Sequence, residues 1–459
     1  MPEIIRGKCV DVSSEGKGVV KVGKYIYFVD GLFIGEEADI EVLYSRAGVY
    51  YGKVKKLYKI SDNRIQPKCK VCTSCGGCQY QQINYQTQLV YKTKRVKEAM
   101  LRIGGVNVDV LPCIGMENPY YYRNKIQMPY GKDRKGNVVY GFFKENSHEI
   151  IPVKECAIED SRAAPILWDI KELIKQMNIP IYNEDNGKGI LRYVLIRTSH
   201  HYNELMVVLV TSMMNFPGQR NFVNKLIELH PEITTIVENV NKRHTNVVLG
   251  TEEKVLYGPG FIKDNILDLT FEISASSFFQ INPLQVEKLY KTALDLIKFD
   301  ENPVVLDAYS GVGTIGLIAA RNAKKVISVE INKAANKDAI TNAKRNGIEN
   351  IEFYCADASD FINEYSENLD VVIMDPPRKG SDEKFLDTLL KKEPKRIIYI
   401  SCNPETLARD INFLSNKYNV TYVQPVDMFP MTSHIETILC LSLKDAKPTK
   451  IVKAQTNLF

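Results

Sequence analysis

The sequence predicts a multidomain chain with three folded parts: a small OB-like β-barrel over residues 1–60, an α+β region over 67–275 and an α/β, Rossmann-like unit over 276–445, followed by a tail at 446–459. Three observations carry this expectation. The chain has 459 residues, which at roughly 100–200 residues per domain is about three domains. Its first segment is built of short apolar and polar alternations cut by glycine, and its last third alternates strand-like and helix-like runs in regular order. A hydrophobic content of 44% and a charged content of 25% are ordinary for globular protein and too apolar for general disorder.

The barrel expectation rests on GKCVDVS, GKGVVKVG, KYIYFVDGLF, IGEEADIEVLY and YYGKVKKLYKI, five short strands separated by turn residues. Such a barrel is a common nucleic-acid-binding unit, and it also serves as a structural cap. The polar connector SDNRIQPKCK follows. Farther on, VVYGFF, GILRYVLIRTS and ELMVVLVTS read as strands, with PILWDIKELIKQM and GQRNFVNKLIELH as helices, an α+β pattern. From about residue 285, helices alternate with VVLDAYS, KVISVEIN, IEFYCAD, LDVVIMDPP and RIIYISCNP, and then VTYVQPVDMF and TILCLSL close the unit. That order implies a mostly parallel sheet whose ligands sit at the carboxyl ends of its strands. The longest apolar run, Leu205 to Val210, is far short of the roughly 18–20 residues of a spanning helix. The start MPEIIRGK lacks an apolar signal core. A cytoplasmic monomer with no membrane partner is expected.

The formal net charge is only +5, which excludes a polybasic tail but not a local basic surface. Residues 67–135 hold twelve Lys or Arg against four Asp or Glu, a net of +8, so the remainder carries −3. Seven tyrosines share the segment. Cations for phosphates and flat rings for bases suit RNA; a solvated helix face with core tyrosines is the plainer reading.

After VVLDAYS comes Gly311-Val-Gly313-Thr-Ile-Gly316, where glycines allow a ligand close to the backbone at a helix start. Glu330, ending the next strand, is placed to accept ribose hydroxyls. Nicotinamide dinucleotide and S-adenosylmethionine sites share this logic. Other residues favour the second: Asp307 for a cationic amino group, Asp357 for an adenine amino group, and Asp375-Pro376-Pro377-Arg378 at the fourth strand end.

Ser401-Cys402-Asn403-Pro404 closes the fifth strand at a helix start, where the backbone dipole favours a thiolate. Glu436, in HIET before the last strand, is expected on the same face. Cysteine with glutamate suits covalent activation of a pyrimidine: addition of Cys402 to C6 makes C5 nucleophilic, and Glu436 removes the C5 proton. Phe278 and Phe279 are expected to line a pocket for a flipped base. Cys9, Cys113, Cys355 and Cys440 read as inert buried residues.

The series SFFQIN (277–282), DAYSGVGT (307–314), DPPR (375–378), SCNP (401–404) and HIET (434–437) closely resembles the RNA uracil-5-methyltransferase family, especially its 23S ribosomal RNA type, across essentially the whole chain. The resemblance implies a TRAM-like barrel and a class I methyltransferase unit. It implies S-adenosylmethionine bound by Gln280, Tyr309, Glu330 and Asp375, with Cys402 as nucleophile and Glu436 as base; Gly311, Gly313 and Asp357 join the cofactor site from the residue pattern alone. The product would be 5-methyluridine in ribosomal RNA; transfer RNA is the alternative substrate, and an inactive RNA-binding protein the alternative class.

Cys69, Cys72, Cys75 and Cys78 crowd into ten residues, which in a reducing compartment points to metal or redox chemistry. The family pattern implies a [4Fe-4S] cluster on Cys69, Cys75, Cys78 and the distant Cys156. Cys72 is an addition to that pattern. It opens two alternatives: zinc held by four local thiols, or displacement of one cluster ligand by Cys72.

Overall fold

The computed structural model describes residues 3–144, 147–244 and 247–444; the expected tail at 446–459 lies outside the described residues. Strands Ile4–Val12, Gly18–Val22, Tyr25–Asp30, Glu37–Arg46 and Val49–Lys59 close into a barrel. Ala47 and Gly48, with φ of 51° and 78°, make the tight turn that returns the fourth strand along the fifth. Inside are Cys9, Val20, Val29 and Ile40. The buried Glu36 carboxylate accepts from the Phe33 and Ser61 amides and from the Arg64 guanidinium at 2.6 Å, which fastens the connector to the barrel.

The middle of the chain forms a seven-stranded, mostly antiparallel sheet. Its spatial order is Glu252–Tyr257, Thr235–Val240, Leu205–Thr211, Leu191–Thr198, Lys125–Lys132, Val138–Phe143 and Ile150–Pro152. Helices Ala163–Gln176 and Gln219–Leu229 cover one face through Ile166, Ile170, Phe222 and Leu226. Leu205–Thr211 is buried at every position, which accounts for its unbroken apolar run. On its other face, Met206 and Val208 meet the hairpin Phe261–Ile266 and Leu269–Ser274, which packs in turn on the C-terminal unit.

That unit is a second seven-stranded sheet ordered Ile351–Tyr354, Lys325–Val329, Val304–Ala308, Val371–Met374, Arg396–Ser401, Glu436–Leu443, Tyr418–Val426. The first five run parallel, and Glu436–Leu443 is antiparallel to both of its neighbours, Arg396–Ser401 and Tyr418–Val426. The strand order reverses between Val304–Ala308 and Val371–Met374, which opens a crevice at their carboxyl ends. Among the described residues no helix is long and apolar enough to cross a membrane.

The helix Tyr85–Arg102, capped by Asn84 on the Thr87 amide, shows where much of the basic segment goes. Its stripe Gln88, Lys92, Val96, Ala99 and Met100 is buried, and Val96, Ala99 and Met100 join the core of the C-terminal sheet. Lys92 is buried against Asp427 at 2.5 Å, Lys94 reaches Asp11 of the barrel, and Arg95 holds Glu405 and the Ser14 and Ser433 carbonyls. Tyr80, Tyr122 and Tyr130 are buried too. Three of the twelve basic side chains, Lys92, Lys94 and Arg95, are therefore spent joining the parts of the chain, and the free basic surface is smaller than the count suggested.

Lys92→Met should leave Asp427 as an uncompensated buried charge and cost about 3–5 kcal/mol of stability in denaturant unfolding. Lys92→Met with Asp427→Asn should recover part of that loss, because the amide is neutral.

Candidate active site and cysteine cluster

The loop after Val304–Ala308 bends sharply: Tyr309, Gly311 and Gly313 all have positive φ, from 56° to 78°. A Cβ on Gly311 would meet nothing within 4 Å, so the loop faces open space, whereas on Gly313 it would lie 3.0 Å from Ala339. Glu330 accepts from the Gly311 amide at 2.8 Å and from Asn332 at 2.7 Å, so its carboxylate shapes the loop. Asp357 caps the helix Ala358–Glu364 through the Ser359 and Asp360 amides, the plainer reading of a strand-end acid. The Tyr309 hydroxyl lies 3.0 Å from Ser381, and its ring packs on Phe385. The Gln280 carbonyl accepts from Asn124.

Two carboxyl groups, Asp307 and Glu436, are buried in this crevice and a third, Asp375, is partly buried, with little to compensate them. Asp307 is pushed well above the usual carboxylate range by burial, with Asp375 and Glu330 adding to the rise. Its Oδ2 has no hydrogen-bond partner. Asp375 is raised by burial. Glu436 is raised by burial and then by Asp375, and Arg378 opposes the rise. Such a cavity favours a cation.

Cys402 stands beside the same groups, where Arg396–Ser401 ends and helix Pro404–Leu414 begins. The expectation of a lowered thiol does not hold in the free protein. Burial pushes Cys402 up to about 11, with Glu436 and Asp375 adding to the rise and a hydrogen bond from Arg378 opposing it. Glu436 opens Glu436–Leu443, and because this strand runs antiparallel, its start lies at the carboxyl end of its neighbour, with Thr437 opposite Ser401. Sequence reading noted DPPR but missed the part played by Arg378. That residue acts on both Cys402 and Glu436, and its carbonyl accepts from Asn403 and Thr406. His434 at the mouth is pushed down to about 4 by partial burial and by Arg378, Lys92, Arg95 and Arg123.

Two aromatic and cysteine expectations are corrected. Phe279 is a core residue packed on Phe271, and only Phe278, 67% exposed, remains available to a substrate. Cys9, Cys113 and Cys440 are buried as expected, but Cys355 is exposed, because its strand ends one residue earlier.

Cys156, distant in sequence, meets Cys78, on which Cys69 and Cys75 also act. Cys78 and Cys156 pack with Met116, Tyr122 and Met431. Burial pushes Cys78 up to about 12, with Cys75 and Cys69 adding to the rise, and Cys156 is raised by burial, by Glu159 and by Cys78. Cys72 is buried and influenced mainly by Cys69 and Cys75 among these thiols. Among the described residues no three His, Cys, Asp or Glu side chains form a group that could hold a metal ion. The cysteine loop is tied to the segment before Glu436: the Tyr80 amide donates to Met431, and the Ser433 amide to Gln79.

A family model described as tRNA (Uracil-5-)-methyltransferase matches residues 247–444. The chain is 42% identical to an uncharacterized RNA methyltransferase of Clostridium tetani, over 94% of each chain. It is 40% identical to another from Staphylococcus aureus, over 96% of this chain and 98% of that one. The crystal structure of Pyrococcus abyssi tRNA (uracil-54, C5)-methyltransferase with S-adenosyl-L-homocysteine matches with a TM-score of 0.77 at 28% identity, covering 95% of this chain and all of that one. The fold and the comparisons define an RNA methyltransferase. The chain belongs to the RNA uracil-5-methyltransferase family.

Iodoacetamide alkylation of Cys402, followed on its own peptide by mass spectrometry so that Cys355 is scored separately, should rise about tenfold per pH unit from 7 to 10. Arg378→Gln should move that rise to higher pH and slow alkylation at pH 8. A rate already level above pH 8 would contradict the raised thiol.

Proposed function

We propose that this protein transfers a methyl group from S-adenosylmethionine to C5 of a uridine in 23S ribosomal RNA through a covalent Cys402 adduct. The observation that carries the reading is the meeting of Cys402 and Glu436 at one sheet edge, with Arg378 acting on both and Asp375 beside them. S-adenosylmethionine supplies a sulfonium methyl and an ammonium group. Its two cationic centres suit the carboxyls of Asp307 and Asp375, and the open loop at Gly311 leaves room for its approach. Gln280, Tyr309, Gly313 and Glu330 would complete the binding surface. Asp357 would act mainly by fixing the helix beside the adenine. The Pyrococcus relative was solved with the demethylated product of this cofactor.

In the proposed reaction Arg378 stabilises the Cys402 thiolate, whose Sγ bonds to C6 of uracil. C5 then takes the methyl from sulfur, the C5 proton passes to Glu436, and the Sγ–C6 bond breaks to return the thiolate. Burial suits Glu436 to its part, since a carboxylate with a raised pKa is the stronger base. A base drawn from folded RNA would be flipped out, with Phe278 exposed near Gln280 to receive it. Ribosomal RNA is favoured by the barrel, read as TRAM-like, and by the cysteine cluster. Transfer RNA is the second reading, favoured by the substrate named for the Pyrococcus relative.

The same proposal gives Cys69, Cys75, Cys78 and Cys156 a [4Fe-4S] cluster. Their thiolates would hold the cluster. Cation binding would also offset the burial that raises these thiols. The cluster's part is to brace the loop before Glu436, since methyl transfer needs no electrons.

Unmodified ribosomal and transfer RNA transcripts, incubated with the protein and S-adenosylmethionine and mapped for 5-methyluridine, test substrate and reaction together. Cys402→Ala should abolish methylation yet keep cofactor binding, and Glu436→Gln should accumulate protein–RNA adduct that survives denaturing electrophoresis. Full activity of Cys402→Ala, or no adduct with Glu436→Gln, would count against the mechanism. Anaerobic purification should give brown protein with about four irons per chain, lost in Cys78→Ser and Cys156→Ser. Colourless protein containing zinc would overturn the cluster.

A further inference from the structure

The chain's single tryptophan, Trp168, lies on helix Ala163–Gln176 and is 40% exposed, although the residues on either side of it in that helix build a core. Lys171 lies over its ring at 3.9 Å and Lys154 at 5.4 Å. The residue after Lys154, Glu155, accepts from the Tyr121 hydroxyl at 3.0 Å. Lys68 in turn lies over the Tyr121 ring at 4.5 Å and over Tyr120 at 4.7 Å. Lys68 adjoins Cys69, and Tyr120 packs with Cys78 and Cys156, so the series starts at the cysteine cluster. Beside it, Arg123 pairs in register with Glu159 and faces His434 at the active-site mouth.

Cations and rings thus alternate along one surface: Lys68, Tyr121, Lys154, Trp168, Lys171. Two acids lie along it. Glu155 is engaged by Tyr121, and Glu172 is shared by Lys171 and Lys175. None of this takes part in the chemistry proposed at Cys402. A protein-docking patch would group apolar side chains, whereas here each exposed ring is flanked by a cation. That spacing fits a chain of flat bases joined by phosphates.

We propose that Lys68, Tyr121, Lys154, Trp168 and Lys171 form a track for single-stranded RNA flanking the target uridine, with bases stacking on Tyr121 and Trp168 and phosphates drawn by the lysines. This rests on the chain being an RNA methyltransferase, and it adds where the substrate is held outside the reacting centre. The track would select targets whose flank is unpaired, since a duplex keeps its bases stacked on one another.

Trp168 is its own reporter. Oligouridylate of about ten nucleotides should quench its fluorescence through stacking, and inorganic polyphosphate should not. With an unmodified transcript that the protein methylates as substrate, Trp168→Ala should raise KM on the order of ten- to a hundred-fold and leave kcat unchanged. Lys154→Gln with Lys171→Gln, which keeps the ring, should raise KM and flatten its salt dependence. Lys68, Lys154 and Trp168 are exposed, Tyr121 and Lys171 are half-buried, and circular dichroism would check that each variant is folded. If transcripts are methylated but neither fluorescence nor KM responds, the track is wrong and the enzyme reading stands. Equal quenching by polyphosphate would remove base stacking and overturn the proposal. If no RNA is methylated, the functional reading fails and the track fails with it.

Discussion

The buried ion pair between Lys92 and Asp427 is the contact on which the arrangement of the parts depends. Lys92 comes from a helix that follows the cysteine loop, and Asp427 from the segment that leads to Glu436. Both are removed from water, and Asp427 also accepts from the Tyr85 hydroxyl and the Phe429 amide. Neither partner can leave the other alone, because an unpaired buried charge costs several kcal/mol. Around it, Gln88 exchanges hydrogen bonds with Tyr80 and Met431, and Gly16 of the barrel fits against Gln79 and Ser433. Barrel, cysteine loop and catalytic sheet thus meet at the segment that delivers Glu436.

The same constraint explains the charge distribution. A net +8 over residues 67–135 looks like a surface for phosphate, yet Lys92, Lys94 and Arg95 bind carboxylates of other parts of the chain. Side chains counted as free cations in one dimension become structural links in three. What remains for phosphate is narrower, and the proposed track draws on residues beyond that segment, Lys154 and Lys171.

In the crevice the energetic theme is uncompensated acid. Asp307 and Glu436 are buried, Asp375 is partly buried beside them, and Arg378 acts on Glu436 and on Cys402. Folding alone does not satisfy this cluster. Its cost is an organised one, since a cationic methyl donor would relieve it and a raised carboxyl is what proton removal from C5 calls for.

By itself the sequence determined the barrel strands, the strand–helix alternation of the last third, and the motifs at the strand ends, because each depends on local periodicity and on short-range turn or capping chemistry. SCNP and DPPR were legible for that reason, and so was membership in the family. Tertiary structure decided what depends on neighbours distant in the chain. Phe278 and Phe279 are adjacent and alike, yet one is exposed and the other is core, which only the packing on Phe271 determines. Helix-start position argued for a lowered Cys402 thiol, and burial beside two carboxyls reversed it. Arg378 gained its part only when the last strand, running antiparallel, brought Glu436 back to the edge where Cys402 waits. Local pattern sets what each residue can do, and burial and pairing across the chain set which of those things it does.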